Sequence, residues 1–141
     1  DTDKPVRVLD GDITIDAIPV PHAIVPALGY RVTAGDVSIV FASDQNGSSD
    51  AFIDFARDAT VLVMHLPIPE GATGAAIKLH ARPSDVARVA KAAGAGTLVL
   101  SHFMARSLND LDTNVDIVRA GFGGEVAVAN DLACMVVPDQ P

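Results

Sequence analysis

Four histidines and one aspartate are the residues of this chain whose types and positions invite chemistry. His22 lies in a proline-rich loop, and His65 ends the apolar run Thr60-Val61-Leu62-Val63-Met64. His80 stands just before a helix start near Ser84, His102 follows the apolar run at 97–100, and Asp44 follows that at 37–42. In α/β sheets ligands collect at the carboxyl ends of strands, where loops converge over one edge. Imidazole nitrogens and a carboxylate gathered at such an edge suit Zn²⁺ or a similar divalent ion. Position alone leaves the histidines open between metal ligands and ordinary surface or satisfied core residues. Asp44 stays open between a ligand and a turn residue of Ser43-Asp44-Gln45-Asn46-Gly47. No His-Glu-x-x-His, Cys-x-x-Cys or P-loop sharpens the choice.

The elements that must position these residues follow from local pattern. Val6-Arg7-Val8-Leu9 and residues 13–18 read as strands around a turn at Asp10-Gly11-Asp12. Pro19, Pro21 and Pro26 enforce a loop, because proline lacks a backbone donor. Residues 29–32 and 37–42 form a hairpin turning at Ala34-Gly35-Asp36. Ser48 or Ser49 caps a helix running to Ala59, with Ala51, Phe52, Phe55, Ala56 and Ala59 as its buried stripe. Residues 60–64 make a buried strand, and 67–74 a flexible loop rich in proline and glycine. Ser84 opens a helix over 85–93 that Gly94 closes. Residues 97–100 form another strand, and a helix over 109–120 is stopped by Gly121, Gly123 and Gly124. Two last strands are expected at 126–129 and 132–137. An antiparallel hairpin followed by strand–helix–strand units predicts an α/β fold, a mixed sheet with helices on one face. The other face would stay open or meet something outside this sequence, as in half of a larger sandwich.

Composition narrows the classes. The 141 residues are 49% hydrophobic, 20% charged and 4% aromatic, with no Trp, so the core is aliphatic. Ten basic against eighteen acidic residues give a net charge of −8, which lacks the basic footprint of a dedicated nucleic-acid binder. An anionic substrate would need local positive charge, most simply a metal. The single cysteine, Cys134, excludes an internal disulfide and a thiolate cage, and its apolar neighbours predict a buried core thiol. No apolar run approaches the ~18 residues of a membrane span. The polar N-terminus carries no signal-peptide pattern, and a soluble, cytoplasmic protein is expected. Gly121-Phe122-Gly123-Gly124 follows a helix and reads as a terminator rather than a phosphate loop. Ser101 beside His102 has no nucleophile elbow around it, and Lys78, Arg82 and Arg106 read as solvated surface.

The segments that hold these residues, in their order, resemble the C-terminal half of a metallo-β-lactamase-fold hydrolase of the ribonuclease Z, phosphodiesterase and arylsulfatase-like branch. Val20-Pro21-His22 with Leu28-Gly29-Tyr30-Arg31-Val32 is similar to the segment of that family's third metal-binding histidine. Ser38-Ile39-Val40-Phe41-Ala42-Ser43-Asp44 resembles the strand ending in the bridging aspartate. Ala59-Thr60-Val61-Leu62-Val63-Met64-His65 resembles the strand that ends in a His-Glu pair. His80-Ala81-Arg82-Pro83-Ser84-Asp85 looks like the histidine-led helix, and Thr97-Leu98-Val99-Leu100-Ser101-His102 like the last metal-binding strand. The resemblance runs over residues 6–137.

The resemblance implies half of an αββα sandwich with two divalent metal ions, Zn²⁺ or else Mn²⁺. His22 would bind one ion, His102 the other, and Asp44 would bridge them, while His80 would act on the substrate. It implies hydrolysis of a small phosphoric, sulfuric or related ester. The family's His-x-His-x-Asp-His motif is absent from these 141 residues. The implied partners are therefore the N-terminal half and further copies of the chain; nucleic acid stays open and no membrane is implied. Alone the chain would be inactive, because a Zn²⁺ site needs three or four protein donors. Leu66 stands where the ribonuclease Z branch carries Glu, which puts tRNA processing in doubt and leaves the role of His65 open. The alternative from another class is a metal-free binding or assembly module that keeps the fold without catalysis.

Overall fold

A computed structural model describes residues 3–137. Seven strands form one sheet in sequence order: β1 (Val6–Leu9), β2 (Ile13–Val20), β3 (Ala27–Ala34), β4 (Val37–Phe41), β5 (Val61–His65), β6 (Thr97–Ser101) and β7 (Glu125–Val128). The first three pairings are antiparallel and the last three parallel. Each parallel step crosses over through helix: α1 (Asp50–Phe55), then α2 (Ala76–Leu79) and α3 (Pro83–Ala93), then α4 (Ala105–Leu108) and α5 (Leu111–Phe122). The expected α/β architecture, a mixed sheet with helices on one face, is what the chain adopts.

Alternation along the strands decides the faces. Val40, Leu62, Met64, Leu98 and Leu100 are fully buried beneath Phe52, Val86, Val89, Val115 and Val118 of α1, α3 and α5. The core is mainly aliphatic, as the composition predicts, with the rings of Phe52 and Phe122 set into it. Gly121 lies inside α5 rather than ending it. A Cβ there would stand 2.8 Å from the Ala87 Cβ, so glycine is what lets α5 close on α3. Gly94 and Gly123 end α3 and α5 in the left-handed conformation, at φ 65° and 79°. The opposite face presents Ile39, Phe41, Val61, Val63 and Val99 to a cleft that Thr97 and Glu125 also line and that Ala133, Met135, Val136 and Val137 border. Phe41 and Tyr30 on this face are 43% and 38% exposed, so the sheet is open on the side where sequence pattern left it open.

Several boundaries differ from expectation. β2 continues through Pro19 to Val20, because β1 begins pairing only at Ala17 and leaves no partner to miss the proline donor. The α1 cap is Ser49, whose hydroxyl accepts from Phe52 N–H at 3.1 Å, but the helix stops at Phe55, not Ala59. There Arg31 donates to the carbonyls of Phe55 and Arg57 and ends the regular ladder. Residues 132–137 pair with no strand, and Cys134 is exposed rather than buried. The stretch at 67–74, expected as flexible, is anchored: Ile68 is fully buried and Glu70 accepts from both the amide and hydroxyl of Ser84. That carboxylate caps the first turn of α3, which has no side-chain cap of its own.

Candidate metal centre

His22, Asp44, His65, His80 and His102 come together at the carboxyl edge of the parallel strands. His22 follows β2, Asp44 follows β4, His65 ends β5, His80 sits between α2 and α3, and His102 follows β6. The His80 ring is the hub: ring centres lie 5.1 Å from His22, 5.6 Å from His65 and 6.2 Å from His102. An Asp44 carboxylate oxygen, Oδ1, stands 3.5 Å from His102 Nε2 and 4.0 Å from His80 Nδ1.

Backbone geometry makes this convergence possible. Ala23, Ser43 and His102 adopt positive φ of 49°, 57° and 51°, a region that non-glycine residues enter at a cost. Each is either a site residue or the neighbour of one, so each sharp turn aims a donor at the shared edge. The chain segments are also cross-tied. Asn46 N–H donates to Pro21 O at 2.9 Å, and Ala81 N–H to Gln45 O at 2.8 Å.

The histidines differ in what their nitrogens do. His22 Nδ1 donates to Leu79 O at 2.6 Å, which leaves Nε2 with its lone pair free. His65 Nδ1 donates to Ser43 O at 2.7 Å, and its Nε2 accepts Ala81 N–H at 3.2 Å, so both nitrogens are used. Burial pushes His65 down to about 4, a shift only partly opposed by the negative charge of Asp44. Burial also lowers His80, again opposed by Asp44. His80 Nδ1 is buried without a hydrogen-bond partner, as is Gln45 Oε1.

This donor set fits part of a divalent-ion site. A ligating histidine ordinarily has its second nitrogen tied to a carbonyl, as His22 has. The orphaned Nδ1 of His80, the half-buried Asp44 and the exposed His102 are polar groups with capacity to spare. Among the described residues, however, no three His, Cys, Asp or Glu side chains are placed to hold an ion by themselves. Beside Asp44 and His102 a cavity of about 350 Å³ is walled by Leu28, Tyr30, Phe41 and Val63. Neither this apolar wall nor the service of the Leu79 and Ser43 carbonyls had a local signal in the sequence. The Leu66 side chain is fully buried in the core. Among the described residues no helix is long and apolar enough to cross a membrane.

Comparison with known proteins bears on the family and the fold. Residues 1–103 match the β-lactamase superfamily domain. The chain is 30% identical over 129 residues to the probable metallo-hydrolase YhfI of Bacillus subtilis, covering 85% of this chain and 51% of that protein. It is 38% identical over 86 residues to ribonuclease Z of Pseudomonas putida, covering 55% of this chain and 27% of that one. The crystal structure of YhfI, a metallo-β-lactamase-fold protein, superposes with a TM-score of 0.75 at 28% identity over 92% of this chain and 51% of its own. Human tRNase Z, short form, shares the fold with a TM-score of 0.76 at 21% identity, over 97% of this chain and 48% of that chain. The chain thus spans about half the length of YhfI and a smaller share of the Pseudomonas enzyme. By sequence and architecture together, the chain belongs to the β-lactamase superfamily and has its metallo-β-lactamase fold.

Proposed function

We propose that this chain forms one wall of a metal-dependent hydrolase that cleaves phosphoric, sulfuric or related esters, and that a preceding half of the same fold supplies the remaining donors. Of this chain's residues, His22, His102 and Asp44 would hold the divalent ions, Zn²⁺ or Mn²⁺, with His22 toward one, His102 toward the other and Asp44 common to both. The observation that carries this reading is the Asp44 carboxylate 3.5 Å from His102 Nε2, at an edge where His22 keeps a free Nε2. Ions held there supply Lewis acidity and acidify water at neutral pH. His80, kept neutral by burial, offers a ring N–H to the leaving oxygen. Leu28, Tyr30 and Phe41 shelter the apolar part of a small ester beside it.

The test is metal analysis and turnover on the protein with its preceding half present. About two ions per chain, with metal-dependent hydrolysis of a phosphodiester, a sulfate ester or an RNA phosphodiester, supports the reading. Metal-independent turnover, or none on any ester, overturns it. The isolated 141 residues should be inactive, because three donors over two ions fall short of a stable site. A second reading, a metal-free binding or assembly module, is favoured by the buried Leu66 and by the absence of a three-donor cluster among the described residues. Full-length protein that purifies and remains without metal after Zn²⁺ addition would select it.

A further inference from the structure

Three of the proposed functional residues, Asp44, His80 and His102, sit next to backbone groups that converge on the end of β5. His65 is 3% exposed, and its Nδ1–H donates to Ser43 O at 2.7 Å. Its Nε2 accepts Ala81 N–H at 3.2 Å, a proton shared with Gln45 O. One residue on, Leu66 N–H donates to Ser101 O at 2.8 Å. The three tethered residues are the immediate neighbours of Asp44, His80 and His102. Two of the tethers fall at strained joints, Ser43 itself at φ 57° and Ser101 just before His102 at φ 51°. Strained backbone persists only where its surroundings over-determine it. With both nitrogens engaged, His65 has no lone pair left for an ion, although it lies in the same cluster.

We infer that His65 is a positioning residue: its imidazole, with the adjoining Leu66 amide, locks Ser43, Ala81 and Ser101 and so sets Asp44, His80 and His102 in register. The inference rests on the proposed hydrolase reading for its consequence, but the tether itself is a property of the chain. Two variants separate this role from ordinary packing. His65→Leu keeps the volume and removes both bonds. His65→Asn keeps a donor close to the Nδ1 position and can restore the bond to Ser43.

The experiment measures amide hydrogen exchange in metal-free full-length protein, and kcat and KM in metal-loaded protein. His65→Leu should speed exchange at residues 42–46 and 80–82 and lower kcat by about 10–100-fold, the usual range for a group that orients ligands. KM should change little, and His65→Asn should recover most of both losses at 42–46 and in kcat. Unchanged exchange in those segments with His65→Leu overturns the inference. So does equal loss of thermal stability in both variants with kcat per folded molecule unaltered. A wild type without metal-dependent turnover overturns the hydrolase reading instead, while the exchange data still decide the tether.

Discussion

His22 Nδ1 donates to the carbonyl of Leu79, the residue immediately before His80, across 57 positions of sequence at 2.6 Å. One hydrogen bond therefore fixes the tautomer of one proposed ligand and the approach of the proposed substrate-side histidine. His22→Ala removes both the donor nitrogen and the tether. In full-length protein it should weaken metal binding at least roughly tenfold and also lower turnover at saturating metal. Metal titration followed by kcat at saturation checks this; loss of metal affinity with normal saturated turnover would mean the Leu79 tether is idle.

His80 and His102 should separate by readout. His102→Ala removes a nitrogen 3.5 Å from the Asp44 carboxylate and should lower metal content and activity together. His80→Ala should retain metal and lose mainly turnover, on the order of 10²–10⁴-fold. A purely structural His80, at the end of α2, would instead show as a lower melting temperature with turnover per folded molecule unchanged. Equal metal loss in both variants would overturn the assignment.

Much of this arrangement was legible in the sequence because it depends on local pattern. The β-branched run of β4, the Ser49 cap and the glycine at the end of α3 each act within a few residues. Placing four histidines and Asp44 at element ends needed only those boundaries. What pattern could not carry was long-range. Pro19 is admitted to β2 by where β1 stops, and Cys134 is exposed because residues 132–137 find no strand to join. The uses of His22 and His65 rest on backbone partners 57, 22 and 16 residues away, which no spacing rule encodes.

The contact between α3 and α5 predicts a coupled pair. Gly121→Ala gains helix propensity of up to about 1 kcal/mol but forces a Cβ to 2.8 Å from that of Ala87. Overpacking of a closed core costs about 1–3 kcal/mol, so the variant should be less stable by roughly 1–2 kcal/mol. Adding Ala87→Gly reopens the space, and the double-mutant cycle should show favourable coupling of at least about 1 kcal/mol. Urea midpoints of the four proteins decide it, and simple additivity would mean the helices shift apart without cost.

The open sheet face predicts association. Phe41, Tyr30, Leu28, Val6 and Leu9 are all between 38% and 64% exposed, an apolar expanse that isolated soluble domains rarely leave to water. The 141 residues alone should therefore associate, either with the proposed preceding half or through exchange between copies. Light scattering should give a mass above that of the single chain, and Phe41→Glu should lower it. A stable monomer at tens of micromolar would overturn this.

Acid should weaken the metal-free fold through His65. Its pKa is pushed down to about 4 by burial, against an ordinary value of 6.5. Above pH 6.5 the ring is neutral in both folded and unfolded chains, and the full native stability is present. As pH falls from 6.5 towards 4, the unfolded chain takes up a proton that the native ring refuses, so stability drops. By pH 4.5 the loss from this one group is about 2–3 kcal/mol, and below 4 it adds nothing further. His65→Asn cannot titrate, so it should start less stable at pH 7 yet lose less between pH 7 and 4.5. Urea midpoints with chelator present, at both pH values, isolate the difference from the carboxylates common to the two proteins. Parallel losses would mean that His65 takes up its proton in the folded chain as readily as in the unfolded one, and that burial does not hold the ring neutral.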